Sequence, residues 1–307
     1  MATATPTTTA MRTSTSPGVA LIRAQANLAE RRLRSPSRVA NVARNTGAER
    51  GRHDRWKIAR DSFWGFAGPY LREGDRVAIL GAGNGDDLPL ERIAALAGEV
   101  TLIDLDLKAP RAARRRLSWR LRRRVAVIGH EATGGAADTI AVAAALGEVP
   151  GRISAPEAPL PGGPYDLAVG DLLYSQLLYP ALLDLGVEER RREAFLERYC
   201  PILTRGIVAR LHASAPTVVH IHDPLAWWEG HEQTADLDQI LRLAEGDDIG
   251  VALGAVARGL GPVESDPRAA LRSFGIEPRA TALWRWPFSP GVDYLACATL
   301  TGERVPT

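Results

Sequence analysis

A glycine-rich turn followed directly by two carboxylates is the first feature of the sequence that could do chemistry. In the run VAILGAGNGDDLPLERI, residues 77–93, the turn holds three glycines at alternate positions and then two acids: Gly81, Gly83, Gly85, Asp86 and Asp87. Turns of this kind hold nucleotides, because backbone N–H groups at a helix start face the ligand. The dinucleotide pattern is GxGxxG, but the spacing here is GxGxG, with Asp86 in the place of the third glycine. Two carboxylates there would repel a pyrophosphate and would suit a cationic ligand without phosphate.

A further acid, Asp104, ends the next predicted strand, nineteen residues after Gly85. A carboxylate at that place can accept hydrogen bonds from both ribose hydroxyls of a bound nucleotide. S-adenosylmethionine fits both features, because it carries a sulfonium and an α-ammonium group and has no phosphate. Asp104 alone does not distinguish S-adenosylmethionine from NAD, since NAD-binding enzymes also bind ribose through an acid at this place. The choice of this cofactor therefore rests on the glycine spacing together with Asp86 and Asp87.

The elements that must position these residues alternate between strands and helices. Strands are predicted at 76–80, 100–103, 125–128, 165–169 and 217–221, and helices at 88–96, 109–121, 136–146 and 235–245. Two strand-like runs close the chain, ATALWRWPF and DYLACATLT, with a hairpin turn at residues 289–292 between them. This alternation predicts an α/β fold with a doubly wound, mostly parallel sheet and a C-terminal antiparallel hairpin at or near one edge.

The chain divides into three segments by composition. The Thr-rich segment 1–17 is predicted to be a disordered tail, and 18–71 a basic helical N-terminal extension that could cap the site. Residues 1–60 hold twelve Lys/Arg against three Asp/Glu, a local charge of +9, so the remainder carries −7 of the net +2. Residues 72–307 form the Rossmann-like domain, with a Gly/Pro-rich loop insertion at 149–164.

Taken together, the leading helix, the GxGxG turn, Asp104 and the final hairpin resemble a class I S-adenosylmethionine-dependent methyltransferase over residues 56–301. The resemblance implies a seven-stranded sheet whose last strand is antiparallel. It also implies that Gly81, Gly83 and Gly85 approach the methionine part of the cofactor, with Asp86 beside them, and that Asp104 binds ribose. Glu131 lies where the family contacts adenine, and Asp171 near the sulfonium and the acceptor. An acid that the family often has two residues before the first glycine is replaced here by Ile79.

Two segments near the predicted rim of the sheet could act on the acceptor. In VGDLLYSQLLYP, Asp171 is predicted to orient the acceptor or the cofactor ammonium, while Tyr174 either faces the cleft or packs between helices. In VVHIHDPLAWWEGHE, His220 is interpreted as an interior histidine, which leaves His222 or Asp223 at the cleft. His222 or Tyr174 would then assist proton removal, since an imidazole titrates near neutral pH. No standard zinc spacing appears, so no metal site is predicted.

Aromatic residues could wall an acceptor pocket, because sites for small organic ligands are mostly apolar. The residues considered for this wall are Trp56, Phe63, Trp64, Trp227 and Trp228, while Trp284 and Trp286 are interpreted as core or edge packing. The favoured function is methyl transfer to a small molecule with an aromatic or apolar portion, with O-methylation of a hydroxyl or carboxyl preferred.

An RNA-modifying methyltransferase is the first alternative, because the segment 111–124 holds eight arginines and no acid. Such a run could track phosphates, although a solvated outer helix is the favoured interpretation. A non-catalytic binding protein with this fold is the second alternative. No apolar window reaches membrane-spanning length, and two isolated cysteines, Cys200 and Cys297, indicate a reducing cytoplasm. The sequence gives no indication of oligomeric state.

Overall fold

The computed structural model describes residues 35–46, 51–231, 233–246, 248–261 and 263–306. The predicted tail at 1–17 and the first part of the basic extension, 18–34, lie outside the described residues. Within the described ranges, no helix is both long enough and apolar enough to cross a bilayer.

Seven strands of the described chain form one sheet. They are β1 (Arg76–Leu80), β2 (Glu99–Asp104), β3 (Val125–Gly129), β4 (Leu167–Asp171), β5 (Thr217–Trp227), β6 (Ala280–Ser289) and β7 (Val292–Gly302). Their order across the sheet is β3-β2-β1-β4-β5-β7-β6. The first five strands are parallel to one another, and β7 is antiparallel to both β5 and β6. The predicted mostly parallel sheet with a closing antiparallel hairpin is confirmed.

Helices cover both faces of this sheet. They are α1 (Pro36–Thr46), α2 (Arg52–Arg55), α3 (Lys57–Ala67), α4 (Leu90–Leu96), α5 (Lys108–Arg116), α6 (Trp119–Arg122), α7 (Ala136–Leu146), α8 (Tyr179–Asp184), α9 (Glu189–Ser214), α10 (Leu237–Glu245), α11 (Ile249–Ala257) and α12 (Pro267–Ser273). Short 3-10 turns lie at Gly68–Tyr70, Tyr174–Gln176 and Val263–Ser265.

The two faces of the sheet bury separate apolar cores because side chains of a strand alternate in direction. In β1, Ala78 and Leu80 pack with α7, α8, α9 and α12. Val77 and Ile79 point the other way and pack with α3, α4 and α5. A smaller cluster joins α10 and α11 to the far part of β5 and β7. Burial on both faces explains why the central strands read as short continuous apolar runs.

The strand order places a crevice at the carboxyl ends of β1 and β4. The chain passes from β1 to β2 on one side, whereas β4 lies on the other side of β1. Leu80 pairs with Ile103 of β2 and with Gly170 of β4, so these strands end at a common edge. The crossovers leave this point in opposite directions, and ligands of such sheets bind in the opening between them.

Three predicted elements differ from the structure. The helix expected over 109–121 is divided into α5 and α6, because Leu117 and Ser118 adopt extended backbone conformations. The strand expected at 165–169 is shifted to Leu167–Asp171. The strand expected to end at Ile221 continues to Trp227, because β7 pairs with it along its whole length past a register shift between His222 and Leu225. This extension moves the rim of the sheet further along the chain than the sequence indicates.

Candidate functional site

A cavity of about 1020 Å³ opens at the crevice between β1 and β4. Residues at or just after the ends of the parallel strands form its wall, including Gly81, Asp104, His130, Asp171 and Asp223. Small-ligand sites typically enclose roughly 300–1,000 Å³. The volume is therefore sufficient for a cofactor together with a second small molecule.

Helix α1, from the basic extension, forms one side of this cavity through Ser37, Asn41 and Asn45. The side-chain amide of Asn45 donates to Asp106 at 3.2 Å. The backbone carbonyl oxygen of Asn45 accepts a hydrogen bond from the side-chain amide of Asn84 at 3.0 Å. These bonds fix the C-terminal end of α1 to the loops that follow β1 and β2. Part of the extension therefore belongs to the wall of the site.

The glycine turn brings the backbone close to β4. Gly81 has φ +84°, and a Cβ at this position would lie 2.8 Å from the carbonyl oxygen of Asp171. Gly83 has φ +46°, and its N–H donates to the Asp104 carboxylate at 2.8 Å. Both glycines line the cavity, whereas Gly85 lies behind it, where a Cβ would be 3.3 Å from that of Ala113. The structure thus brings Gly81 and Gly83 to the cavity wall, and Gly85 serves helix packing.

Three carboxylates without a cationic partner surround the turn: Asp87, Asp104 and Asp171. All three line the cavity, and within the described ranges none forms an ion pair. Burial raises the pKa of Asp171 well above its usual range, and the charges of Asp87 and Asp104 raise it further. Burial, with a smaller contribution from Asp86, raises the pKa of Asp87 to about 6. A bound cation would relieve this repulsion.

Asp86 differs from the expectation that it faces the cofactor as a free charge. Its carboxylate accepts two hydrogen bonds from Arg52, at 3.0 and 2.6 Å, and pairs with Arg116 at 3.0 Å. His53 lies 3.5 Å from the same group. Asp86 therefore lies on the cavity wall with its charge compensated by α2 and α5. Asp87 forms no ion pair in the described ranges, and the more distant charges of Arg52 and Arg60 compensate it only in part, since its pKa is still raised.

Glu131 lines the cavity, but its carboxylate is already engaged in the turn before α7. It accepts from the N–H and hydroxyl of Thr133, at 2.9 and 2.7 Å, and from the N–H of Gly135. The neighbouring His130 has its Nε2 2.6 Å from a guanidinium nitrogen of Arg210, so this imidazole nitrogen is the acceptor. The structure assigns Glu131 a local structural contact, and a contact with adenine stays a prediction.

Of the alternatives left open by the sequence, the structure shows Tyr174 packed in the interior and Asp223, not His222, at the cleft. The predicted role of Tyr174 or His222 in proton removal is therefore wrong. Tyr174 is completely buried, and its hydroxyl lies 2.6 Å from Nδ1 of His220. His222 is 3% exposed and points to the same side of β5 as His220, where its Nε2 lies 3.4 Å from Asp266. Burial lowers the pKa of His222 to about 4. Because β5 continues past Ile221, both histidines lie inside the protein and neither lines the cavity.

Asp223 occupies the place at the cavity that had been expected for His222. Its side chain is 8% exposed and lines the cavity. Ser175 donates to one carboxylate oxygen at 3.0 Å, while the other, Oδ1, has no hydrogen-bond partner in the described chain. Burial raises the pKa of this carboxyl to about 7. The sequence had offered Asp223 only as an alternative to His222, since the extension of β5 carries no local signal.

An aromatic wall lies beside Asp223 on the hairpin strands. Trp56, Trp286, Phe288 and Tyr294 all line the cavity. Their rings contact one another, with centroids 5.0 Å apart for Trp56 and Trp286 and 5.6 Å apart for Trp286 and Tyr294. Such edge-to-face contacts hold the rings in fixed orientations. The wall is rigid and mostly apolar.

The predicted aromatic wall was correct only in part. Trp228 and Trp56 line the cavity, and Trp228 stacks on His231 with centroids 3.8 Å apart. Phe63 lies in the core under the sheet, and the indole N–H of Trp227 donates to the carbonyl of Ala235. Trp64 also lies outside the wall. Trp286, interpreted as packing, contributes both to the core and to the cavity.

The charges that line the cavity are predominantly negative. Nine carboxylates and two arginines contribute to its wall, namely Asp86, Asp87, Asp104, Glu131, Asp171, Glu193, Glu197, Asp223 and Glu264 against Arg44 and Arg52. A cleft lined by one sign of charge attracts ligands of the opposite sign. No group of three metal-binding side chains occurs in the described ranges. The excess of carboxylates therefore favours a cationic ligand over an anionic one.

The arginine-rich segment lies on α5 and α6, and none of its arginines lines the cavity, although Arg116 pairs with Asp86 of the wall. Arg114 donates to the carbonyls of Arg122 and Val125, and Arg124 donates to carbonyls at the C-terminal end of α4. Arg120 and Arg123 flank the exposed ring of Trp119 at 5.7 and 5.8 Å. Some arginines of this segment thus bind backbone carbonyls at the ends of helices, and others lie at the surface.

We expect the Asp223→Asn variant to lose part of the pH dependence of stability. A carboxyl whose folded pKa is raised from 3.8 to about 7 stabilises the fold at low pH and loses this contribution as the pH rises towards 7. Between pH 5 and pH 8 this loss amounts to about 3 kcal/mol. Urea unfolding at the two pH values should therefore differ by about 3 kcal/mol less in the variant. The control is Asp293→Asn, because that carboxylate pairs with Arg285 outside the cavity. Equal pH dependence in wild type and Asp223→Asn would contradict the assignment.

Comparison with known proteins gives fold-level likeness only. No protein-family model matches the chain. No curated protein matches it either. A SAM-dependent methyltransferase from Methanosarcina mazei aligns at 14% identity over 77% of this chain and 95% of its own, with a TM-score of 0.41. A SAM-dependent methyltransferase from Aquifex aeolicus aligns at 14% identity over 82% and 93%, with a TM-score of 0.40.

A third solved structure, fibrillarin from Aeropyrum pernix with natively bound S-adenosyl-L-methionine, aligns at 10% identity over 80% of this chain and 76% of its own. Its TM-score is 0.37. Because all three scores lie below 0.5, the fold assignment rests on the strand order and the antiparallel β7. The resemblance to class I methyltransferases implies a seven-stranded sheet with an antiparallel last strand, and the sheet has both features.

Proposed function

We propose that the protein transfers a methyl group from S-adenosylmethionine to the hydroxyl of a small molecule with an aromatic or apolar portion. One observation carries this proposal: Asp87, Asp104 and Asp171 line the cavity beside a tight glycine turn, close enough that the first two raise the pKa of the third, and none of them forms an ion pair in the described ranges. A pyrophosphate would be repelled by three carboxylates, whereas a cationic nucleoside would be stabilised by them.

The residues of the turn and the strand ends fit this cofactor. Gly81 and Gly83 leave the backbone bare on the cavity side, and Asp104 retains free lone pairs on both oxygens for ribose hydroxyls. Asp87 and Asp171 would hold the ammonium and sulfonium charges. When bound, S-adenosylmethionine supplies an electrophilic methyl group on positively charged sulfur. The protein then has to position the acceptor and exclude water, which accounts for much of the acceleration in such reactions.

The far part of the cavity suits a small, largely apolar acceptor. The aromatic wall of Trp56, Trp286, Phe288 and Tyr294 provides flat surfaces for a ring system. A carboxylate acceptor would be repelled by the acids of the cavity, so a hydroxyl is favoured over a carboxyl. RNA would bring phosphates into a wall of nine carboxylates and two arginines, which disfavours it as the substrate.

Tritium transfer from the labelled methyl group of S-adenosylmethionine tests this function. A cell extract is separated into small-molecule, RNA and protein fractions, and each is incubated with the enzyme and the labelled donor. Label is expected in the small-molecule fraction and in products that partition into organic solvent. Label in the RNA fraction would overturn the choice of acceptor, and binding of the donor without transfer to any fraction would indicate a binding protein.

A reducing cytoplasm is the compartment that we propose. Both cysteines, Cys200 and Cys297, are free and buried. Burial raises the pKa of each thiol to about 12. Such thiols are inert, and neither participates in the proposed chemistry.

A further inference from the structure

Three buried polar atoms of cavity-lining residues have no hydrogen-bond partner in the described chain: Oγ of Ser37, on α1, and Oδ1 of Asp223 and Nε1 of Trp286, both on the β5–β7–β6 edge of the sheet. The two atoms on the sheet edge are considered as a pair. A buried donor or acceptor without a partner costs free energy, and most such atoms in proteins find a partner. One of these atoms accepts hydrogen bonds and the other donates one. A ligand that satisfied both would need a donor and an acceptor of its own.

The fold holds these atoms on neighbouring strands of one sheet edge. Asp223 lies on β5 and Trp286 on β6, with β7 between them, and Trp286 is directly opposite Tyr294 of β7. Two strand spacings separate β5 from β6, about 10 Å between backbones. Tyr294, on the strand between them, also lines the cavity. A flat molecule of one or two rings has about the length that separates the two strands, so it could span both side chains while it packs on Tyr294.

Both side chains are held in place by their surroundings. Asp223 is 8% exposed and Trp286 3%. The hydroxyl of Ser175 donates to Oδ2 of Asp223 at 3.0 Å, which leaves Oδ1 as the buried oxygen without a partner in the described chain. The ring of Trp286 contacts Trp56, Phe288 and Tyr294, with centroids 5.0 to 5.6 Å apart. Because both side chains are already fixed, a ligand that binds them does not have to order the protein, and the pair can select ligands at little entropic cost.

We propose that Asp223 and Trp286 form the acceptor subsite, and that the substrate is an aromatic hydroxyl compound that also carries a carbonyl or ring-nitrogen acceptor. The hydroxyl donates to Asp223, and Trp286 donates to the second group. This rests on the proposed methyltransferase function. As the oxygen–carbon bond forms, the hydroxyl proton passes to Oδ1 of Asp223, the carbon–sulfur bond of the donor breaks, and its electron pair remains on sulfur. The neutralised carboxyl later returns its proton to solvent.

Asp223 is suited to this role by its surroundings. Tyr294 is the ionisable group that interacts with it, and the pKa of Tyr294 is raised by burial and then by the charge of Asp223. No cation pairs with Asp223 in the described ranges. A base is most effective when its pKa lies near the working pH, and the pKa of Asp223 is about 7.

Three fluorescent ring compounds test the subsite by binding in the presence of S-adenosylhomocysteine. The first, 7-hydroxycoumarin, has both the hydroxyl and the carbonyl. The second, coumarin, lacks the hydroxyl, and the third, 2-naphthol, lacks the carbonyl. Each missing hydrogen bond is expected to weaken binding about tenfold, which corresponds to about 1.4 kcal/mol.

Each variant should remove one preference and keep the other. Asp223→Ala should remove the preference for 7-hydroxycoumarin over coumarin, and Trp286→Phe the preference for 7-hydroxycoumarin over 2-naphthol. A misfolded variant would bind all three compounds more weakly by the same factor. Two control variants, Asp293→Ala and Trp284→Phe, change the same residue types outside the cavity wall and should keep both preferences. Equal binding of the three compounds by the wild type, no binding of 7-hydroxycoumarin, or both preferences retained in a folded Asp223→Ala or Trp286→Phe variant would overturn the subsite.

The rate of methylation gives a separate readout of Asp223. Turnover of 7-hydroxycoumarin should rise with pH through about 7 in the wild type. In Asp223→Asn this rise should disappear and the rate should fall about 100-fold. An unchanged pH profile in the variant would remove the proton-accepting role. Calorimetry with S-adenosylhomocysteine alone separates the two proposals. If the protein does not bind this compound, the proposed function is wrong. If the protein binds it but the wild type shows no preference among the three ring compounds, only the subsite is wrong.

Discussion

The Gly81→Ala variant is expected to lose about 2–5 kcal/mol of folding stability, from left-handed strain and from overpacking. Gly81 has φ +84°, a conformation that costs an alanine about 1–2 kcal/mol. The added Cβ would also lie 2.8 Å from the carbonyl oxygen of Asp171 and 3.0 Å from the Cβ of Leu173. Either the turn or the end of β4 must move, so the cavity would be distorted where the cofactor is proposed to lie.

Gly74→Ala is the matched control for this variant. Gly74 has φ +83°, and a Cβ there would meet nothing within 4 Å. It therefore carries the backbone strain without the steric overlap. Urea unfolding should show a loss of about 1–2 kcal/mol for Gly74→Ala and a clearly larger loss for Gly81→Ala. Equal losses of stability in the two variants would show that the close approach of the turn to β4 does not add to the cost of the Gly81→Ala substitution.

The second large effect is expected in Asp104→Ala, which should weaken binding of S-adenosylhomocysteine about 100- to 10,000-fold, because hydrogen bonds to a charged group contribute about 1.5–3 kcal/mol each. In the proposed complex the carboxylate accepts from both ribose hydroxyls. It also accepts from the N–H of Gly83 at 2.8 Å and of Asp106 at 2.7 Å. Its removal therefore takes away the ribose contact and loosens the glycine turn at the same time.

Asp106→Ala separates a specific contact from general damage to this loop. Asp106 is buried two residues away and accepts from Asn45 and from the N–H of Lys108. It is not among the residues of the cavity wall. We expect its variant to lose stability while keeping most of the affinity. Calorimetry measures the affinity of both variants for S-adenosylhomocysteine. If both variants lose the same affinity, or if folded Asp104→Ala loses none, the ribose contact is contradicted.

The fold could be predicted from the sequence because its signals are local. Ala136–Leu146 forms the expected helix between two glycines in left-handed conformations, Gly135 and Gly147. The strand at Arg76–Leu80 is a short apolar run that ends at a glycine. Such patterns depend on residues a few positions apart, and the alternation of strands and helices predicts the mostly parallel sheet.

The site could be predicted only where its residues follow strand ends directly. Gly81, Gly83, Asp104 and Asp171 reach the cavity for that reason. Asp86 does not present a free charge, because its partner Arg52 lies thirty-four positions earlier and no local pattern joins them.

The acceptor end of the site could not be predicted, because pairing between distant strands decides it. His222 is buried because β7, some seventy residues later, extends β5 past the expected rim. Trp286 reaches the cavity for a similar reason, since its place on the edge strand β6 depends on pairing with β7. Long-range pairing of this kind leaves no signature in the periodicity of either segment.

The central claim is that this cavity accepts a cationic sulfur nucleoside and excludes a dinucleotide. Titration calorimetry of the full-length protein with S-adenosylmethionine, and separately with NADH, tests it most directly. The account predicts saturable binding of S-adenosylmethionine at one site and no heat of binding for NADH at the same concentration. Saturable binding of NADH, with none for S-adenosylmethionine, would contradict it.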